Sequence, residues 1–187
     1  QGNLLAEQRI ADVDRGGDQA SVTTSFQYDP IYQQPRKVIE PRGNDPAYVP
    51  QNGGVWSPAR YTTTQTFDYE ESCDTTAIGA KIGRTAPEVA ALLAGAGVCG
   101  AALGDVNGDG LTTQVNGNMI RRQRPPVALL PGSNQAAIDG PTQVPIELVQ
   151  MSLMGQPIVV VDPEQNVHTL EYYSEQDPDG DGTVNNP

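Results

Sequence analysis

The chain has 187 residues, room for one domain or a domain with a tail, and 37% hydrophobic with 5% aromatic residues sets a modest, aliphatic core. Sixteen prolines and 20 glycines predict many turns and few long helices, short of the composition of a disordered chain. The formal charge is −12, with nine acids and no Lys or Arg after Arg124; that balance excludes a nucleic-acid surface and an anionic-lipid surface, and suits divalent cations.

Residues 1–11 are expected to form a short helix anchored only by Leu4, Leu5 and Ile10. Asp12, Asp14 and Asp18 follow in a glycine-containing turn, a minor candidate for a metal. Residues 21–28 (SVTTSFQY) read as a strand, because β-branched and aromatic residues fit a pleated surface. Residues 30–58 are broken by prolines and glycines into a long irregular segment with one short strand near Val38 and Ile39. Trp56 lies in this segment, either exposed or packed as a plug on the sheet.

Residues 61–70 (YTTTQTFDYE) predict the clearest strand, with Tyr61, Thr63, Gln65, Phe67 and Tyr69 on one face. Thr85-Ala86-Pro87-Glu88 is a capping box with proline in the first turn, so a helix follows through Ala94 and ends at Gly95 or Gly97. Arg121, Arg122 and Arg124 form a basic cluster, expected to pair with acids of the downstream half. Further strands are expected over residues 127–130, 144–153, 158–161 and 167–173, with a turn at residues 162–166. The summed pattern is mainly β: an antiparallel β-sandwich, jelly-roll or immunoglobulin-like, with one short helix and long calcium-binding loops. The organisation expected is an N-terminal extension or assembly arm (1–20), a sandwich domain (21–174) and an acidic calcium-binding tail (175–187).

Cys73 and Cys99 are the only cysteines and His168 the only histidine, which excludes zinc-cluster and haem-attachment patterns. The cysteines either pair, placing maturation in an oxidising compartment, or stay as two buried thiols. A start at Gln1 without methionine, and no apolar run of spanning length, is what a secreted protein with its leader removed would show.

The chemistry-bearing motif is Gly104-Asp105-Val106-Asn107-Gly108-Asp109-Gly110. Ca²⁺ takes six to eight oxygens, and a tight loop with ligands at positions 1, 3 and 5 and glycine at 6 supplies them. Counting from Asp105, Asn107 and Asp109 take positions 3 and 5, the Leu111 carbonyl position 7, Thr113 position 9 and Asn116 position 12. A second loop repeats the pattern, with Asp177, Asp179 and Asp181, the Thr183 carbonyl and Asn185. That loop reaches Pro187 before a twelfth position, so its site is completed from elsewhere in the chain, by a neighbouring chain or by water. Neither loop carries a closing carboxylate, which predicts an extracellular-type affinity of roughly 10⁻⁴ to 10⁻³ M.

The first loop resembles the DVNGDG loop of bacterial dockerin modules, although no second copy follows at dockerin spacing. The second resembles the DxDGDG runs of thrombospondin type 3 repeats. As a whole the chain is similar in kind to subunits of bacterial matrix fibres held by stacked calcium sites, the calcium-ladder fibres. That resemblance implies a secreted homopolymer with Ca²⁺ at or near subunit junctions and copies of itself as partner. Residues 21–28 are then the strand expected to add to a neighbour's sheet edge. The alternative is a calcium-stabilised module binding matrix glycans, for which Trp56, Tyr28, Tyr32, Tyr48, Tyr61, Tyr69, Tyr172 and Tyr173 are the aromatic candidates.

No enzyme is expected. GxSxG is absent, His168 lacks a nucleophile context, and no glycine loop has the strand and lysine that cradle phosphate. Glu70 with Glu71, or Asp162 with Glu164, are candidate carboxylate pairs for a glycosidase, but adjacency in sequence does not set their separation across a cleft.

Overall fold

The computed structural model describes residues 2–10, 21–50, 55–129 and 142–172. The mainly β, antiparallel, sandwich-like class expected from the sequence is what forms. Eight strands make one sheet: β1 (Ala6–Ile10), β2 (Ser21–Tyr28), β3 (Pro35–Ile39), β4 (Thr62–Phe67), β5 (Met119–Gln123), β8 (Ile146–Met151), β9 (Pro157–Val161) and β10 (Val167–Thr169). Their order is an up-and-down meander, β1-β2-β3-β4-β5-β8-β9-β10, and β6 (Val127–Ala128) with β7 (Thr142–Gln143) form a separate two-stranded ribbon. Four short helices stand where one was expected: α1 (Pro41–Asn44), α2 (Tyr69–Ser72), α3 (Thr75–Ile82) and α4 (Ala86–Gly95).

The N-terminal helix does not form. Ala6–Ile10 is a strand paired with β2 from Ala6 opposite Ser25 to Ile10 opposite Ser21. A helix that short is marginal in water, whereas the edge of β2 offers a complete ladder. The extension expected over residues 1–20 thus contributes an edge strand. β2 itself falls where the β-branched run placed it, but it is flanked by β1 and β3. It therefore has no free edge to lend to a neighbour, and the sheet edges among the described residues are β1 and β10.

The strand expected over residues 61–70 stops at Phe67, after a register shift between Thr66 and Phe67. A 3₁₀ turn (Pro58–Tyr61) precedes it, and the chain then coils into α2. Tyr69 accordingly points into the core from a helix rather than continuing a strand face. α3 is capped by the Asp74 carboxylate, which accepts from the Thr76 and Ala77 amides. α4 carries the expected capping box of Thr85 and Glu88. In β8, Val149 and Met151 are buried, but the strand ends at Met151 and Leu153 is 78% exposed. β10 ends at Thr169, short of the expected 173.

The main core gathers Phe67, Tyr69, Ile78, Val89, Leu93 and Val98 where α2, α3 and α4 meet the end of β4. A second cluster, Ile120, Val149 and Met151, lies on the sheet, with Val106 packed against it. Cys73 and Cys99 are bonded, with Cα atoms 5.6 Å apart, tying the end of α2 to the chain beyond α4. The free-thiol alternative is thereby dismissed.

Candidate functional site

Five side chains within Asp68–Cys73 each hold a different part of the chain. The buried Asp68 carboxylate accepts the amides of Asn116, Gly117 and Asn118 at 3.1, 2.9 and 3.2 Å. The Tyr69 hydroxyl donates to the buried Asp29 carboxylate, which also accepts the Ile31 amide at 3.1 Å. Glu70 forms a bidentate pair with Arg36 at 2.6 and 2.7 Å and accepts the Phe67 amide at 2.9 Å. Glu71 accepts the Val106 amide at 2.7 Å, and Cys73 closes the set through its disulfide. Burial is the main cause that pushes the Asp68 carboxyl above its ordinary value, against the pull of its amide donors. Burial likewise raises the Tyr69 hydroxyl, and raises Tyr32 to about 12.

The loop at residues 104–111 is wound around the Asp105 side chain. One Asp105 oxygen accepts the amides of Gly108 and Asp109 at 2.8 and 3.1 Å, and the other accepts the Gly110 amide at 3.0 Å. Gly108 and Gly110 hold φ of 76° and 74°, a left-handed backbone that a Cβ would strain. Asp109 accepts the Leu111 amide at 2.7 Å through one oxygen and the Asn107 amide nitrogen at 2.9 Å through the other. Asn107 is buried and docks the loop on the sheet: its Nδ2 donates to the Val149 carbonyl at 2.7 Å, while Gln150 Nε2 donates to the Asn107 carbonyl at 3.0 Å. The winding leaves lone pairs on both aspartates, since an ionised carboxylate offers about four acceptor sites.

Residues 103–106 run along α2. Leu103 donates to the Glu70 carbonyl at 3.0 Å, Gly104 to the Glu71 carbonyl at 3.1 Å, and Val106 to the Glu71 side chain. Glu71, 3% exposed, is thereby set against the loop. Burial pushes its carboxyl above the usual glutamate value, and the negative charges of Asp109 and Asp105 add to that rise. Among the described residues no three His, Cys, Asp or Glu side chains converge tightly enough to make a ready-made metal site. The donor set here mixes carboxylates with the Asn107 amide and backbone carbonyls, all hard oxygens of the kind Ca²⁺ takes.

Asp105, Asn107 and Asp109 therefore come together, with Leu111 on the same turn. Thr113 is exposed, and the Asn116 amide is bound to Asp68, so the turn at position 12 wraps that carboxylate. Glu71 was not legible as a member of the loop. The one signal was the pair Cys73 and Cys99, whose bond brings the residues just before Cys73 to those just before Asp105. Asp177, Asp179, Asp181, Thr183 and Asn185 lie outside the described residues, as do Asp12, Asp14 and Asp18. Both members of the Glu70 and Glu71 pair are buried and tied, one to Arg36 and one to Val106.

The arginine cluster pairs as expected with a downstream acid, Glu147, which lies 3.4 Å from Arg122 and 3.8 Å from Arg124. Of the aromatic candidates, Tyr69 is wholly buried and Tyr32 donates to the Val115 carbonyl. Tyr48 and Tyr61 meet edge to face at 5.8 Å. Trp56 is half-buried and donates its indole N–H to the Arg42 carbonyl at 2.8 Å. Tyr173 lies outside the described residues. No protein-family profile, curated protein or solved structure matches this chain.

Proposed function

We propose that the chain is a secreted, calcium-binding structural subunit that polymerises with copies of itself, the ion ordering the 105–111 loop and the subunit junctions. The observation that carries this reading is Glu71, a buried carboxylate from α2 that accepts the Val106 amide at the start of the loop at 2.7 Å and feels the negative charges of Asp109 and Asp105. It supplies from another element the closing acid that the loop's own sequence lacks. Asp105, Asp109, Glu71, the Asn107 side-chain oxygen and the Leu111 carbonyl would hold the ion. A disulfide is compatible with an extracellular setting, and among the described residues no helix is long and apolar enough to cross a membrane.

The sheet supports the polymer half of the reading. Leu5 accepts from the Phe26 amide, so the alternate residues Ala6, Gln8 and Ile10 turn their amides and carbonyls outward. Such an edge is a template for another chain's strand, and Ile10 is 81% exposed beside it. In this reading β1, not β2, makes the junction.

The test is electron microscopy and sizing of the purified protein in millimolar calcium and in EGTA, with isothermal titration calorimetry of the monomer. Filaments that dissolve or shorten on chelation support the reading. Assemblies indifferent to EGTA remove calcium from the junction, and a flat titration removes it from the loop.

A further inference from the structure

The seam between α2 and residues 99–106 has a consequence for the cation loop. From one end it is closed by the Cys73–Cys99 bond, with Cys73 Sγ 3.8 Å from the Ala101 carbonyl. It continues through the Leu103 and Gly104 amides on the Glu70 and Glu71 carbonyls, and ends at the Val106 amide on the Glu71 side chain. Both cysteines sit at positive φ, 52° and 57°, which L residues seldom adopt. The chain thus turns sharply at both ends of the covalent link, and each turn directs its strand of the seam alongside the other.

Residues 100–105 are exposed and carry no apolar packing of their own. Two backbone hydrogen bonds and one to a side chain are a weak means of fixing register on an exposed segment. A covalent anchor two residues after Glu71 and six before Asp105 removes the slack. We propose that the disulfide is a positioning element of the 105–111 loop: it fixes the register in which Glu71 meets the loop, beyond its part in holding α2 to α4. This rests on the calcium reading for its affinity consequence and on the seam alone for its structural one.

Three variants of the full chain test it by calcium calorimetry and by amide hydrogen exchange at Val106. The first is Cys73→Ser with Cys99→Ser. The second inserts one glycine between Gly100 and Ala101, which keeps the disulfide and shifts the register. The third is Val89→Ala, a core truncation in α4 that removes neither a hydrogen bond of the seam nor the disulfide. The serine and insertion variants are expected to weaken calcium binding at least tenfold and to speed Val106 exchange at least tenfold in EGTA. Val89→Ala is expected to lower the melting temperature with calcium affinity unchanged.

A folded serine variant with wild-type affinity overturns the proposal, as does a Val89→Ala variant that loses affinity equally. If the serine variant does not fold, the insertion decides: wild-type affinity with the disulfide intact overturns it. If the wild-type chain binds no calcium, the functional reading fails on its own, and Val106 exchange in EGTA decides the positioning role, unchanged protection overturning it.

Discussion

Replacing Glu71 by glutamine separates the two things this side chain does. Glutamine keeps an oxygen for the Val106 amide and loses the charge that Asp109 and Asp105 repel. Without calcium, exchanging a charged for a neutral acceptor costs about 1 kcal/mol of hydrogen-bond strength. Relief from burying a carboxylate beside two others offsets that, so the variant should match the wild type to within about 1 kcal/mol in EGTA. With calcium the balance changes. For an affinity of roughly 10⁻⁴ to 10⁻³ M, about 10 mM calcium stabilises the wild-type fold by about 1.4 to 2.7 kcal/mol. A tenfold weaker site leaves about 0.4 to 1.4 kcal/mol. At roughly 2 to 4 °C per kcal/mol for a chain of this size, the calcium-dependent rise in melting temperature should shrink by about 2 to 5 °C. Scanning calorimetry of both proteins, each in EGTA and in calcium, measures the four values needed. Equal calcium shifts in the two proteins would refute Glu71 as a ligand. Equal losses with and without calcium would make it a structural residue only, and no shift in the wild type would empty the loop.

Arg36→Ala leaves the Glu70 carboxylate buried without its guanidinium, and urea unfolding should show a loss of about 3 kcal/mol; a loss under about 1 kcal/mol would mean that water replaces the partner. In EGTA, Asp68 and Glu71 both hold their protons more tightly than ordinary carboxyls do. Their contribution to stability is therefore full below the unfolded value of about 4 and is lost as pH rises through the raised folded values; Asp68→Asn should flatten that part of a melting-temperature profile, and an unchanged slope would assign it elsewhere. Thr85→Ala removes one half of the α4 capping box, for an expected loss of about 1 kcal/mol by chemical denaturation, and no measurable loss would mean that the Cys73–Cys99 bond holds this region without the cap.

Local chemistry was legible where one physical cause dominates. β2 follows from a β-branched run and α4 from a capping box, and both fall at their expected positions. Reading failed where tertiary contacts override local preference. Tyr69 continues the alternation of β4 and is a good β-former, yet the chain coils at Asp68 because that carboxylate takes three amides from residues 116–118. Arg121 and Arg122 drew attention as a charge cluster and concealed β5, an interior strand between β4 and β8. Its arginines are tolerated because Arg122 and Arg124 reach Glu147 and Arg121 donates to Gln123. The loop's own candidate ligands could be counted from spacing. Glu71 could not, because a residue 34 positions before Asp105 becomes its neighbour only through the seam and the disulfide.

The distribution of buried charge bears on the ion itself. Asp29, Asp68, Glu70 and Glu71 are all nearly inaccessible, and burying an ionised carboxylate is costly unless something compensates it. Asp68 is compensated by three amides, Asp29 by a tyrosine hydroxyl and backbone amides, and Glu70 by Arg36. Glu71 is held by the Val106 and Asn107 amides, but burial and the charges of Asp109 and Asp105 raise its carboxyl, and no Lys or Arg is among the causes acting on it. A divalent cation bound by the loop would turn the mutual repulsion of Glu71, Asp105 and Asp109 into attraction to the ion. The attachment of the loop to α2 through Glu71 and the Val106 amide would then be reinforced by the ion. On this account calcium should harden the seam from the Glu71 end as the disulfide does from the other.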